Sequence, residues 1–377
     1  MARYAHIVGW GMAVPQRVVT NHELAQFVDT SDEWIVTRTG IRERRVAGPQ
    51  ESVATLSIAA AEEALAVAGI SPRDVDLILV ATATPEHLFP ATACLVQDAL
   101  GASKAGAFDL LAACSGFIYA LHMAAAAIRA GTHDIALVIG AETFSRIVNW
   151  RDRETCVLFG DGAGAVVLKG SEALGGVLAS MIRADGSGGE LLILPAGGSR
   201  MPISEAVVRD SCHFIRMNGR EVFRFATRVM EKATREVVAQ AGLCLEDVDL
   251  IVPHQANIRI IETAAKGLGL PMDRFFVNID RYGNTSAASI PIALCEAVQQ
   301  ERLKPGDTVV MVAFGAGLTW AAAVVQWGMP LARPRPPWLE RLARITRYLP
   351  AQLHSRTMRL WRRFDARMSR LLQREGE

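Results

Sequence analysis

Residues 61–80, AEEALAVAGISPRDVDLILV, return at 234–253 as TREVVAQAGLCLEDVDLIVP, an offset of 173. Glu63 and Glu236, Ala68 and Ala241, and Gly69 and Gly242 are identical pairs, as is the Asp-Val-Asp-Leu-Ile stretch beginning at Asp74 and at Asp247. The same offset relates DIALVIG from Asp134 to DTVVMVA from Asp307. Each copy reads as a helix, a glycine stop, an acidic turn and a short strand buried on both faces. A unit this long is no solenoid repeat. It implies two similar α/β halves, 1–172 and 173–328, with a tail over 329–377.

Three reactive side chains fall at the ends of these elements, where ligands of α/β sheets collect. Cys114 precedes Asp134 by 20 residues, at the start of the helix leading into the strand at 135–139. Asn284 precedes Asp307 by 23, also at a helix start, and His254 follows the second DVDLIVP strand directly. A free cysteine is commonly core filler. Against that, a helix N-terminus favours thiolate and lowers the thiol pKa. A lone histidine is usually a satisfied polar residue, but Gln255 and Asn257 make this strand exit unusually polar. Asn284, before Thr285 and Ser286, reads equally as an N-cap or as part of a site. Cys94, Cys156, Cys212, Cys244 and Cys295 have no comparable context and read as structural.

Composition narrows the setting. Half of the 377 residues are hydrophobic and 21% are charged, as in a globular protein with a large core. No CxxC pair or metal-type spacing occurs among the six cysteines, so neither a metal site nor a disulfide framework is expected. The N-terminus lacks the basic and long apolar regions of a signal peptide, which predicts a reducing, cytoplasmic setting. The run at 110–128 is long enough for a membrane span, but it is mostly Ala, Gly, Ser and Cys around His122 and predicts a buried core helix. The glycine clusters GWG (9–11), FGDGAGAVV (159–167) and FGAGLTWAAAVV (314–325) lack the GxGxxG or P-loop pattern and predict tight turns between strands.

With these stretches assembled, the chain resembles the β-ketoacyl-acyl carrier protein synthase III family. The motifs that carry the resemblance are VDTSDEWIVTRTGIRERR (28–45), LLAACSGF (110–117), FGDGAGAVVL (159–168), VPHQANIRII (252–261), YGNTSAASIP (282–291) and FGAGLTWAA (314–322). The resemblance implies a thiolase-like fold of two βαβαβαββ halves in a five-layered α-β-α-β-α core. It implies a decarboxylative condensation of a short acyl-CoA primer with malonyl-acyl carrier protein, giving 3-ketoacyl-acyl carrier protein, CO2 and CoA. Cys114 would accept the acyl group, with His254 and Asn284 holding the enolate and the backbone N–H groups of Cys114 and Ala316 forming an oxyanion hole. The family pattern often has glycine at the position of Ala316. Trp34 would stack on the CoA adenine with Arg153 on its other face. Arg38 would meet phosphate, and Phe223 and Asn257 would line the pantetheine tunnel. Arg259 and Lys266 would dock the carrier protein, although such charges also suit a solvated face. Phe89 would reach the acyl pocket of a homodimer partner. No cofactor is implied beyond the CoA and carrier-protein substrates. A starter or acyl-transferring ketosynthase of secondary metabolism, a malonyl-CoA extender, and a non-catalytic scaffold stay open.

The tail departs from that pattern. From Met329 onward twelve arginines face four carboxylates, a net charge of +8 in a chain whose total is +1. Prolines at 330, 334, 336 and 337 predict a stiff linker. Trp338, Leu342, Ile345 and Leu349, then Trp361, Phe364, Met368 and Leu371, recur at helical spacing with arginines opposite, which predicts two short basic amphipathic helices. A membrane surface, an acidic partner and packing on the body are the open roles. Charge alone does not make a nucleic-acid site, and none is expected.

Overall fold

The computed structural model describes residues 2–328, 353, 355–362 and 364–365. Within them the duplicated stretch does one structural job twice. Asp76 Oδ2 accepts hydrogen bonds from the Asp134 and Ile135 N–H groups, and Asp249 Oδ2 accepts one from Thr308 N–H. Each aspartate thereby ties the start of its own strand, Leu77–Ala81 or Leu250–Pro253, to a parallel neighbour, Ile135–Thr143 or Thr308–Gly315. The registers match as well, with Leu77 opposite Ala136 and Leu250 opposite Val309.

Two sheets result. The first runs Tyr4–Ala13, Asp161–Ser171, Ile135–Thr143, Leu77–Ala81, Gly106–Leu110. The second runs Gly176–Ala184, Thr319–Gln326, Thr308–Gly315, Leu250–Pro253. Its fifth member is reduced to one parallel bridge between Ile251 and Phe275. Strand alternation sorts side chains between layers. Leu77, Leu79, Leu250 and Val252 face a shared central core, whereas Ile78 and Val80 face one outer layer and Ile251 the other. Helices Gly116–Arg129 and Ser289–Gln299 fill the centre. Val53–Ala68 and Thr92–Leu100 cover one sheet, and Gly219–Gln240 and Ile258–Leu268 cover the other. The order is α-β-α-β-α. Burial on both faces is why the strands read as unbroken apolar runs.

The apolar run at 110–128 therefore becomes a core element. Its helix is 14 residues long, with Ala120, Ala124 and Ala125 buried so that the two sheets approach it closely. No described helix is long and apolar enough to cross a membrane.

Two of the three glycine clusters differ from the expectation of turns. Gly9 and Gly11 lie inside strand Tyr4–Ala13, where a Cβ would meet the Ala64 and Ala60 carbonyl oxygens at 2.2 and 2.4 Å. Gly164 lies inside Asp161–Ser171 with Pro291 at 2.7 Å from such a Cβ. These glycines let strands lie flush beneath helices. The third cluster does form the turn between Thr308–Gly315 and Thr319–Gln326. All six cysteines are free, and Cys94 and Cys244 are exposed, so they are not core filler. The prolines of the tail and the sets at 338–349 and 368–371 lie outside the described residues. Residues 355–362 are helical. They contact the body through Ser355 Oγ, bonded to Asp98 Oδ1, and through Arg359 Nη1, 3.2 Å from Asp98 Oδ2.

Candidate active site

The repeat also builds the site. Ala113 has φ +46° and Ser286 φ +49°, again 173 residues apart, in a region that L-residues seldom occupy. Each opens a 3-10 turn, Ala113–Ser115 or Ser286–Ala288, that runs directly into a central helix. The two helix starts meet, with a Cβ built on Gly116 3.7 Å from that of Ala287. The counterpart of Cys114 is thus Ala287, and Asn284 lies three residues earlier, on the approach to the second turn.

Cys114, His254 and Asn284 line one cavity of about 140 Å3, together with Phe223, Asn257 and Gly315. His254 leaves its strand with its N–H donating to Val312 O at 2.8 Å, an extension of the parallel pairing. Its Nδ1 lies 2.7 Å from Ser289 Oγ, its ring meets Phe314 edge-on at 5.3 Å, and its buried Nε2 has no hydrogen-bond partner. Asn284 is fixed from both sides. Its N–H donates to Leu158 O and its C=O accepts from Gly160 N–H, which joins it to FGDGAGAVV of the other half. Its Oδ1 accepts from Ser286 N–H at 2.9 Å, leaving the Nδ2 amide as the donor end. The Leu158–Gly160 segment is steadied by fully buried Arg44, which donates to Val19 O, Asn21 Oδ1 and Val157 O. Burial lowers the Arg44 pKa to about 10, still a cation at neutral pH.

Burial also sets the protonation of the reactive groups. It pushes His254 down to about 3, so the imidazole is neutral. It pushes the Cys114 thiol up to about 12, opposed by the neighbouring Ser286 hydroxyl and aided by the negative field of Glu142. The expectation of a lowered thiol pKa is reversed here: desolvation outweighs the helix N-terminus, and the resting thiol keeps its proton.

Of the remaining expected residues, Phe223 and Asn257 line the cavity, and Arg38 and Arg259 contact them. The Arg38 and Arg153 guanidinium carbons lie 4.7 and 5.0 Å from the Trp34 ring centre, and Asn257 Nδ2 donates to Arg38 O at 2.9 Å. Arg259 lies 5.7 Å over the Phe223 ring, so part of its cation is engaged by an aromatic face. Lys266 is exposed on the same helix. Ala316 follows Gly315, where a Cβ would come within 2.7 Å of Cys114 N, so this backbone abuts the nucleophile turn. Phe89 is 86% exposed and does not line the cavity of its own chain. Ser286, Ser289 and Glu142 escaped the sequence reading. The two serines stand in YGNTSAASIP, but nothing in their spacing singles out hydroxyls, and Glu142 is a lone carboxylate in an apolar strand. Among the described residues no group of His, Cys, Asp or Glu could hold a metal.

Two family models for 3-oxoacyl-[acyl-carrier-protein] synthase III match this chain, one at residues 108–186 and its C-terminal part at 238–327. A β-ketoacyl-[acyl-carrier-protein] synthase III from Symbiobacterium thermophilum is 57% identical over 322 residues, which is 85% of this chain and 98% of that protein. The chain belongs to the β-ketoacyl-[acyl-carrier-protein] synthase III family. It is an acyltransferase of the condensing type. The crystal structure of 3-oxoacyl-[acyl-carrier-protein] synthase III from Aquifex aeolicus VF5 is 50% identical, with a TM-score of 0.80 over 86% of this chain and 100% of that one. The priming β-ketosynthase of the R1128 polyketide pathway is 36% identical, with a TM-score of 0.81 over 88% of this chain and 98% of that one. The Symbiobacterium match spans nearly the whole relative, yet leaves 15% of this chain unmatched, about the size of the 329–377 tail.

Proposed function

We propose that Cys114, His254 and Asn284 carry the condensation of a short acyl-CoA primer with malonyl-acyl carrier protein that initiates fatty-acid synthesis. Cys114 Sγ attacks the primer thioester and keeps the acyl group as CoA leaves. The malonyl thioester then loses CO2, and its enolate oxygen is held by His254 Nε2–H and Asn284 Nδ2–H. With the Ser289 hydroxyl donating to Nδ1, the single ring proton falls on Nε2. The enolate carbon attacks the Cys114 thioester, whose oxyanion rests on the N–H groups of Cys114 and Ala316. The observation that carries this reading is the unpartnered, buried His254 Nε2 in the cavity that holds Cys114 and the Asn284 amide. Mixing the protein with acyl-CoA and weighing it tests the reading: an acyl mass on the Cys114 peptide supports it, and an unmodified protein defeats it.

Trp34, Arg38 and Arg153 receive the CoA nucleotide, and Phe223 and Asn257 border its pantetheine arm. Adenine takes the place of a guanidinium over Trp34, exchanging one cation–π contact for a stack. Arg259 and Lys266 meet the acidic carrier protein, and Phe89 closes the acyl pocket of a second copy. The reaction needs no cofactor beyond its two thioester substrates and takes place in the cytoplasm. The tail brings the enzyme to an anionic membrane surface. Ser355 and Arg359 hold one side of the 355–362 helix to Asp98, while Leu353, Leu360, Trp361 and Phe364 are 51–64% exposed. At about 100° per residue those apolar side chains project away from the anchored side, with Arg356 exposed at the border between the two sides. A helix docked by its polar side and apolar outward suits a lipid interface.

A further inference from the structure

Among the described residues Glu142 is the ionisable group beside Cys114 that the condensation scheme leaves without a task. It is the penultimate residue of strand Ile135–Thr143, is fully buried, and is surrounded by neutral donors. Its Oε2 accepts from the Thr84 hydroxyl at 2.6 Å and from the Thr82 hydroxyl at 3.2 Å, and both its oxygens lie 3.1 Å from Ala83 N. Its Oε1 accepts from the Ser286 hydroxyl at 3.1 Å. Ser286, also fully buried, opens the turn that meets the Ala113–Ser115 turn, so its hydroxyl neighbours the Cys114 thiol and offers it a free lone pair. Hydroxyl and carboxylate thus form a hydrogen-bonded pair next to the thiol, with Cys114 and Glu142 from the first half and Ser286 from the second.

We propose that Ser286 and Glu142 are a proton relay that takes the Cys114 proton during acylation and returns it after condensation. The inference rests on Cys114 being the acyl acceptor. As Sγ bonds to the thioester carbonyl carbon, the S–H proton passes to Ser286 Oγ and the Ser286 hydroxyl proton passes to Glu142 Oε1. The carbonyl π pair moves onto oxygen and returns as the C–S bond to CoA breaks, and the CoA thiolate takes a proton from water. Glu142 stays protonated through the life of the acyl-enzyme. When the enolate carbon attacks and the bond to Sγ breaks, the leaving Cys114 thiolate regains its proton through Ser286, and Glu142 is a carboxylate again.

The acidities fit a relay of this kind. Burial raises Glu142 to about 7, against about 12 for the thiol. At rest the proton stays on sulfur. Bonding to carbon makes the S–H group far more acidic, and only then does transfer run downhill. The groups facing Glu142 are the hydroxyls of Thr82, Thr84 and Ser286, the Ala83 N–H and the Cys114 thiol, so no cation holds it ionised. His254, held neutral across the cavity, serves the enolate instead.

The test is single-turnover CoA release from acyl-CoA between pH 5.5 and 8.5, with the adduct on Cys114 confirmed by mass in the parent protein. Acylation by the parent should rise with pH through a step near 7. In Glu142→Gln, acylation should fall about a hundredfold and the step should vanish. Malonyl decarboxylation, which moves no thiol proton, should fall less than about threefold. Ser286→Ala leaves the other four Glu142 contacts in place and should show the same split, which keeps the test decisive if Glu142→Gln does not fold. Variants that keep the pH step, or that lose acylation and decarboxylation equally, overturn the relay. A parent protein that forms no Cys114 adduct overturns the underlying nucleophile instead.

Discussion

Burial sets the protonation of Cys114 and His254, and a hydrogen bond sets the orientation of Asn284. The thiol is desolvated and neutral, the imidazole is desolvated and neutral, and the amide is oriented by the Ser286 N–H that fixes its oxygen. Cys114→Ser should give no acyl adduct by mass spectrometry and no ketoacyl product, yet should keep malonyl decarboxylation, because both enolate donors remain. Product formation at the parent rate would remove Cys114 from its role. His254→Ala or Asn284→Ala should lower decarboxylation by about a hundredfold or more, the usual cost of one preplaced oxyanion donor. The histidine pKa of about 3 carries a sign. The ring stays neutral as pH falls through the ordinary value of 6.5, so decarboxylation by Cys114→Ser should be level from pH 8 to 5, and an acid limb near 6.5 would refute the neutral donor. Because the unfolded histidine takes up a proton in that range and the folded one does not, folding stability falls as pH drops from about 6.5 toward 3.

Strand ends and helix starts turn those residues into a site, and here one small residue matters more than its chemistry suggests. Gly315 ends strand Thr308–Gly315, where a Cβ would lie 2.7 Å from Cys114 N and 3.2 Å from Ser115 N. Gly315→Ala must push this strand end away from the nucleophile turn. A displacement approaching 1 Å should cost acylation roughly a hundredfold in kcat, with the CoA KM little changed. A fall confined to KM would show that the turn had not moved. Trp34→Ala, on helix Asp32–Thr39, should do the reverse, raising the acyl-CoA KM about tenfold by loss of the aromatic face while kcat holds. The elements themselves were legible in the chain, since the Asp-Val-Asp-Leu-Ile repeat specifies strand, register and aspartate clamp at once. Within them, glycines in FGDGAGAVV and GWG were misread as turns, because flush contact with a helix leaves the same signature as a bend. Glu142 and Ser286 were illegible for a related reason: a lone buried carboxylate and a hydroxyl acquire meaning only when the two halves are brought together.

At the scale of the whole molecule the duplication supplies the scaffold and its asymmetry supplies the chemistry. The two φ-positive turns are equivalent, but one carries Cys114 and the other Ala287 with Ser286 before it, so a single thiol shares its cavity with His254 and Asn284 of the opposite half. No step of the condensation needs the tail, which lies beyond the family match ending at residue 327. On one side of its helix Ser355 and Arg359 meet Asp98 of the body, and an exposed ion pair such as Arg359–Asp98 adds at most about 1 kcal/mol. Leu360, Trp361 and Phe364 remain 59–64% exposed, an apolar load that water does not favour. The tail's net charge of +8 makes anionic lipid the complementary surface. Full-length protein should therefore co-sediment with vesicles rich in phosphatidylglycerol at low salt and less so at high salt. Protein lacking 330–377 should stay in the supernatant with its condensing activity intact. Replacing Trp361 and Phe364 with serine should weaken sedimentation at every salt concentration, since their contribution is apolar and unscreened. Equal pelleting of full-length and truncated protein would take the membrane away as the partner, and retention of the full chain by carrier protein alone would assign the tail to an acidic protein instead.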